Sequence, residues 1–471
     1  RRDEFDEIFR AWNSYQVISL PATLLQRAKD ILPQHNHRSQ MYNALNECIP
    51  VEIIKDWSKM VAQWDKAPGN TPSPYVVKYS HLSEMEVRQE LGQQDIIAIE
   101  EGRGRVYTKG FTVNRIVTMG LDLEEEQRRL RADVAAFAPS PTDVQAAEIH
   151  ERQDVLRRRI TAWHDAEQKL IPALASLRAD VANDLLPSQT ASLLLPSVIC
   201  SNIGFSEDFL TCEWRLREAQ AYDALGGLRG YLEVIAYVLR RNDVSDEGND
   251  VRGRSDVIVA FARAEINKLV VRYRDAYAAL FNLAAPLGDT GWRGSLRELA
   301  DSDVRFVSQG DANGRRSWIW DFGGTTYLKS EDLHDIHKNK NLPLQAMWCK
   351  ARAHALESSA ECDFLLAEMD RTAAFHDDQG KWWEGRVNRS FLEHPQYLEG
   401  ANAYAYRQAS IRHAMEVHCS SLANVMRYWF SGGQIPCDPA PSFSELPGSL
   451  VSLALGGDSS EDVADGDRDY V

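Results

Sequence analysis

Clustered arginines are the side chains whose type and spacing most directly suggest chemistry. A guanidinium group donates hydrogen bonds in a fork that matches phosphate oxygens, so such clusters are candidate contacts for a DNA backbone. The alternative is a solvated helix flank on which each arginine pairs with a nearby Glu or Asp, and the sequence favours that alternative. The candidates are Arg157, Arg158, Arg159, Arg240, Arg241, Arg252, Arg254, Arg272 and Arg274.

Histidine pairs are candidate metal ligands. His334 and His337 lie one helical turn apart, but no cysteine or further histidine is near them in sequence, which favours a surface helix. His413, His418 and Cys419 lie in the last helical segment, where His418 falls on the apolar stripe and is better interpreted as a core histidine with a partner. We therefore predict no metal ion and no cofactor bound by this chain.

Motifs for a catalytic nucleophile or for phosphate binding are no clearer than the histidine pairs. No GxSxG motif occurs, and Gly102–Arg105 lacks the Lys-Ser/Thr of a P-loop, so this glycine pair indicates a turn. Carboxylates are abundant, but runs such as Glu124–Glu126 follow the polar faces of helices. An enzyme in its own right is the least favoured hypothesis, and it would need convergent carboxylates or histidines in a pocket.

Composition restricts the classes of function. The 471 residues carry a formal net charge of -16, which argues against a broad nucleic-acid-binding surface and leaves only local basic faces. No apolar run is long enough to span a membrane, so we expect none. The seven cysteines include no CxxC pair, which is typical of reduced, intracellular thiols.

Helical periodicity dominates the chain. Apolar residues recur every seven or every three and four positions in three regions, and short breaks separate the helices of each region. The pattern predicts an all-α fold of elongated helical hairpins with coiled-coil-like packing. The first hairpin spans 121–175, the second has its stripes at 221–239 and 262–280, the third region spans 348–369 and 404–429, and a small β-hairpin is predicted near 304–328.

These regions suggest three segments. Residues 1–184 form a first helical region that contains the hairpin 121–175, and residues 185–430 form a second with the small β insert. The range 431–471 is rich in Pro, Ser, Gly and Asp, which predicts an acidic disordered tail. The chain begins without Met inside a helical pattern, so we expect a fragment of a longer protein.

An ordered series of short motifs carries a family resemblance over roughly residues 1–430. It resembles the region that follows the catalytic core of KDZ (Kyakuja-Dileera-Zisupton) transposases, especially fungal members with a CxC2-like cysteine cluster. The series is Arg1–Phe9 with Trp12 and Asn13, Leu121–Glu124 with Gln127–Leu130, Leu156–Ile160 with Trp163, Arg215–Leu225, Val251–Arg254, Arg272–Arg274, Ser317–Trp320, Trp348–Ala353, Trp382–Glu384 and Tyr404–Ala409.

The resemblance implies a parent protein that moves DNA in the nucleus with an RNase H-like core and a divalent metal. The core and the cysteine cluster of the family precede the point that matches Arg1, so no catalytic residue is carried over to this chain. The acidic segment Asp243–Asp250 departs from the basic character expected beside Val251–Arg254. DNA and a second copy of the chain are the expected partners. The alternative is a domesticated, transposon-derived protein-interaction module without a DNA role.

Overall fold

The structure confirms the all-α fold class. The computed structural model describes residue 174 and the ranges 2–77, 81–101, 112–137, 143–171, 186–199, 205–244, 249–289, 291–306, 317–320, 342–388 and 395–432. Within these ranges the secondary structure is helical, and no β-strand forms. None of the helices described is long and apolar enough to cross a membrane.

Ten α-helices make up the described part of the chain. They are α1 (Arg2–Cys48), α2 (Val51–Lys66), α3 (Glu84–Glu100), α4 (Val113–Phe137), α5 (Asp143–Leu170), α6 (Pro196–Ile199), α7 (Glu207–Val244), α8 (Asn249–Leu287), α9 (Leu342–Glu384) and α10 (Pro395–Phe430). Short 3-10 helices lie at Ser188–Thr190, Trp292–Gly294, Asp301–Asp303 and Trp318–Trp320.

The β-hairpin predicted near 304–328 is not formed by its described residues. Trp318–Trp320 is a 3-10 helix, and Ile319 and Trp320 are buried. The indole Nε1 of Trp320 donates to the carbonyl oxygen of Arg305 at 3.0 Å. Aromatic and β-branched residues are frequent in strands because they pack well on a sheet surface. No sheet forms here, and Ile319 and Trp320 are buried from a 3-10 helix instead. Residues 307–316 and 321–328 lie outside the described residues.

The chain divides into two compact units. Unit 1 combines Arg1–Ile49 with Trp348–Val471, and unit 2 is Pro50–Met347. The ranges 1–184, 185–430 and 431–471 follow the order of the chain, whereas unit 1 joins segments that are far apart in sequence. Periodicity identifies helices but not their distant partners, so this division was not visible in the sequence. The predicted tail lies outside the described residues from position 433 onward.

Unit 2 contains the first two predicted hairpins. Helices α4 and α5 run antiparallel, since Arg152 pairs with Asp133 and Arg159 with Glu126. Helices α7 and α8 form the second pair and share the most extensive contact between any two described helices. The predicted stripes supply the core, and their buried members include Leu123, Leu130, Leu156, Trp163, Leu225, Leu228, Tyr273 and Leu280.

Unit 1 is built from α1, α9 and α10. The heptad positions predicted on α9, from Trp348 to Met369, are buried. Met369 packs in one cluster with Leu25 and Ala28 of α1 and with the α10 stripe. On α10 the buried members of that stripe are Ile411, Met415, Leu422 and Trp429. Tyr404 departs from the prediction because it is 55% exposed.

Gly120 of α4 lies close against two side chains, Trp163 of α5 and Leu195. A Cβ atom there would lie 2.7 Å from Leu195 Cδ2 and 2.8 Å from Trp163 Cζ2. Both neighbours are buried, and the indole Nε1 of Trp163 donates to the carbonyl oxygen of Ile116 at 2.9 Å. The indole is therefore held against the backbone of α4, and only glycine leaves room for it.

We predict that Gly120→Ala destabilises the protein although alanine favours helices. Overpacking a close-packed site costs about 1–3 kcal/mol, which exceeds the helix-propensity gain of up to about 1 kcal/mol. The matched control is Gly92→Ala in α3, where nothing lies within 4 Å of the added methyl group and stability should rise. Urea unfolding of both variants tests this, and an equal gain in both would contradict the packing we describe.

Candidate functional site

The most extensive polar cluster of unit 2 is centred on Arg217, and we call it the Arg217 network. Arg217 lies on α7 and is 1% exposed. Its Nε donates to Oε1 of Glu213 at 3.1 Å, and its Nη2 donates to Oε1 of Glu124 at 3.2 Å. Glu213 is itself fully buried, whereas Glu124 belongs to α4. The network therefore joins α4 to α7 through a buried Arg217 and a Glu124 side chain that is 22% exposed.

The ionisation of this network follows from its pairing. Burial by itself lowers the pKa of Arg217, but the carboxylates of Glu124 and Glu213 raise it above its usual range. Burial raises the pKa of Glu124, but Arg217 and then Arg128 outweigh burial and hold that pKa below its usual value. Both groups therefore remain charged at neutral pH.

A third carboxylate, Glu84 on α3, extends the network to α8. Its Oε1 accepts from Arg88 Nε at 3.0 Å and from Gln220 Nε2 at 3.1 Å, and Arg272 of α8 binds its Oε2. Asp223 of α7 accepts from the backbone N–H of Glu84 at 2.9 Å. Helices α3, α7 and α8 thus meet at one buried carboxylate.

Short helix α6 is fixed by the same network. The backbone N–H and Oγ of Ser197 donate to Glu213 at 2.8 and 2.6 Å, and Asn282 of α8 donates to the carbonyl oxygen of Ser197 at 3.1 Å. The Glu213 carboxylate thus accepts from Ser197 and from Arg217. The carboxylates of the network are paired with donors from other helices, although Nε of Arg272 is buried without a hydrogen-bond partner among the described residues. The chemistry of the network is therefore structural pairing between helices.

The predicted DNA-contacting arginines fall into four groups, of which the first is paired with carboxylates. Arg159, Arg272 and Arg274 are engaged within the fold by Glu126, Glu84 and Asp301 respectively, the last at 2.6 Å.

Arg157 and Arg158 are exposed on α5, and the contact of Arg158 is with the carbonyl oxygen of Asp154 at 3.3 Å. Arg240 and Arg241 lie near the end of α7, half-buried and exposed respectively. The side chains of Arg252 and Arg254 lie outside the described part of the structure. The fold thus distributes the predicted arginines over several helices and leaves the pair on α5 exposed side by side.

The described histidines and cysteines of the last helix agree only partly with the prediction, since Cys419 is buried whereas His418 is half-buried. His413 Nε2 lies 3.0 Å from Glu384 Oε1, and burial lowers the pKa of the half-buried His418. Burial raises the pKa of Cys212 to about 12 and that of Cys419 to about 11, so these thiols stay protonated. His334, His337 and Gly102–Arg105 lie outside the described residues. In the described ranges no group of three or more His, Cys, Asp or Glu side chains could hold a metal ion.

A buried polar pair in unit 1 was missed by the sequence analysis. His376 of α9 is fully buried, and its Nδ1 lies 3.3 Å from Nη1 of Arg412 on α10. Burial and then the charge of Arg412 lower the pKa of His376 to about 4, so the imidazole is neutral at pH 7. His376 continues the heptad series of α9 seven residues beyond Met369, and that spacing was the signal that could have identified it.

Comparison with models of protein families, with curated proteins and with solved structures finds no match for this chain.

We predict that Arg217→Ala strongly destabilises unit 2. Removing Arg217 leaves the buried Glu213 carboxylate without a cationic partner, although Ser197 still donates to it, and breaking a buried ion pair in this way costs about 3–5 kcal/mol. The control is Arg152→Ala in α5, whose pair with Asp133 at 2.7 Å is 39% and 43% exposed. A surface pair of this kind contributes about 0–1 kcal/mol. Urea unfolding distinguishes the two variants, and losses of similar size would show that Arg217 is not a central contact.

Proposed function

We propose that this chain is the non-catalytic helical region of a KDZ-type DNA transposase, and that it supports the catalytic core and contacts the DNA backbone in the nucleus. The ordered motif series between Arg1 and Ala409 supports the family assignment. The observation that carries DNA contact is the exposed pair Arg157 and Arg158 on α5, which forms no ion pair with any described carboxylate. A divalent metal would belong to the core of the parent protein.

The placement of this pair suits contact with phosphate groups. Helix α5 is held to α4 by buried Leu156, Ile160 and Trp163, and α4 is tied to α7 through Glu124. Adjacent residues on a helix point about 100° apart, so Arg157 and Arg158 can reach neighbouring phosphates rather than the same one. A chain with a net charge of -16 would contact DNA only through such a local basic face.

The test substitutes Arg157 and Arg158 together. The control substitutes two arginines of the same hairpin that form ion pairs. Arg157→Gln/Arg158→Gln should weaken binding of duplex DNA and lower the salt slope by roughly 0.9 for each phosphate group that the protein no longer neutralises. The control Arg129→Gln/Arg159→Gln removes the same charge from arginines paired with Glu125 and Glu126. Fluorescence anisotropy over a range of salt concentrations measures both effects.

Two outcomes would contradict the proposal. If both double variants weaken binding equally, net charge rather than the α5 face determines affinity. If the unsubstituted chain shows only background binding at low salt, the DNA role fails for this chain.

A second candidate function is protein interaction without DNA, and the exposed face of α10 favours it. Tyr406, Val417 and Tyr428 are 59%, 63% and 59% exposed. They are spaced eleven residues apart, which is close to three helical turns, so they share one face of a straight helix. Neighbouring members of this set lie about 16 Å apart along the helix, so a partner that contacts all three, here a second copy of the chain, has to lie along α10.

We predict that Val417→Glu disrupts self-association if this face mediates it. A charge at the centre of an apolar interface should weaken the dimer by at least about ten-fold, which corresponds to 1.4 kcal/mol. The control Ser359→Glu adds the same charge at an exposed position of α9. Sedimentation velocity over a range of concentrations gives the dissociation constants. A monomer at all concentrations, or an equal effect of both variants, would exclude this face as the dimer interface.

A further inference from the structure

The end of α9 and the start of α10 carry an exposed aromatic cluster. The rings of Trp382 and Trp383 meet edge to face with their centroids 4.8 Å apart, and Trp383 meets Tyr404 of α10 in the same way at 5.6 Å. Trp382 is 46% and Tyr404 is 55% exposed, whereas Trp383 is half-buried. Two large rings are therefore held at the surface by contacts with a third.

Arg386 adds a positive charge to this cluster. Its Cζ atom lies 3.7 Å from the centroid of the Trp382 ring, which places the guanidinium group over the face of the indole. Arg386 is exposed and forms no ion pair with a described residue. Glu384, two positions before it, instead has Oε1 at 3.0 Å from Nε2 of His413. The indole thus positions the guanidinium group and leaves its N–H donors to bind another group.

A pair of amide contacts joins the two helix ends that carry these side chains. The backbone N–H of Asn388 donates to Oδ1 of Asn402 at 2.9 Å, and Nδ2 of Asn402 donates to Oδ1 of Asn388 at 2.8 Å. Asn388 has a φ of 61°, a left-handed conformation that asparagine tolerates better than most residues. Because these contacts lie within the fold, the rings need little ordering when a ligand binds.

Exposed rings beside a positive charge without a carboxylate match the chemistry of unpaired nucleotides. Their bases stack on aromatic side chains, and their phosphate groups bind arginine. A proline-rich protein segment also packs on Trp and Tyr rings, but it brings no negative charge for Arg386. The bases of a duplex are stacked on one another, so their faces are not free. Charge and ring exposure together therefore favour a single strand.

We propose that Trp382, Tyr404 and Arg386 form a binding site for unpaired nucleotides on unit 1. The two rings stack on bases, and Arg386 binds a neighbouring phosphate group. Trp383 is a positioning residue, since its contacts hold both rings. The site uses other residues than the α5 face, so it does not depend on the duplex contact proposed for Arg157 and Arg158.

The first test measures binding of a fluorescein-labelled, single-stranded oligothymidylate to the full chain by fluorescence anisotropy. Trp382→Ala/Tyr404→Ala should weaken binding by at least about ten-fold, because each stacked base contributes about that factor. The control Phe364→Ala/Tyr428→Ala removes exposed rings from the same two helices, about 27 Å away along α9 and about 36 Å away along α10. The control should change affinity by less than about two-fold.

Two single substitutions separate stacking from packing. Tyr404→Phe keeps the ring and should retain affinity within about two-fold, whereas Tyr404→Leu occupies similar space without a ring and should lose about five-fold or more. Circular dichroism checks that both variants fold. Equal affinity of the two variants would show that Tyr404 does not stack on a base, against the proposal.

Arg386→Gln tests the phosphate contact. It should lower the slope of log affinity against log salt concentration by roughly 0.7, the value for one phosphate group of a single strand. The control Arg371→Gln removes the same charge from α9, but Arg371 pairs with Glu368, so its loss should leave the slope unchanged. The same slope in both variants would exclude Arg386 from the site.

Competition identifies the ligand. The competition uses the Arg157→Gln/Arg158→Gln chain, so that the duplex contact proposed for α5 does not contribute. We expect unlabelled oligothymidylate to displace the probe and a duplex of the same length to displace it far less well. The proposal is overturned if the chain does not bind oligothymidylate at low salt, if the two double alanine variants bind it equally, or if the duplex or a proline-rich peptide displaces it as well as the single strand does. Loss of duplex binding with single-strand affinity retained would count against the α5 contact alone.

Discussion

The pairing of Arg217 with Glu213 and Glu124 is the contact on which the arrangement of unit 2 depends. Apolar stripes of repeated Leu and Ala bury well in more than one alignment, because shifting a helix by a heptad places similar residues opposite one another. A shift of α4 along α7 would separate Glu124 from the buried guanidinium group of Arg217, whereas Glu213 would stay with Arg217 because both lie on α7. We infer that Arg217 fixes the register of α4 against α7, while the stripes supply the driving force for burial.

The positions of the helices and their buried faces could be predicted, because apolar periodicity determines both. The stripes at Leu123, Trp163 and Leu225 identified helices, and these residues are buried as expected. The same reasoning assigns every arginine to a surface, so it could not place Arg217 in the core. It also treats each helix alone, and therefore could not show that α1 packs with α9 and α10 across nearly the whole length of the chain.

Candidate sites were harder to predict than helices because clustering in sequence does not reveal partners in space. Arg272 and Arg274 are two residues apart, yet one binds Glu84 and the other Asp301. Both partners are distant in sequence or lie beyond a helix end, so no local pattern distinguishes these arginines from Arg157. His376 was missed for the opposite reason. It continues the heptad series of α9 after Met369, but the predicted stripe of that helix was ended at Met369.

The acidity of the chain makes its unpaired arginines informative. With 69 acidic and 53 basic side chains, a carboxylate is available for most arginines that the fold buries. Arg88, Arg128 and Arg217 each have one. Arg412 differs from these three, because its contact among the described residues is with the imidazole of His376 and not with a carboxylate. Its guanidinium group is half-buried, so solvent takes the place that a carboxylate has beside Arg217.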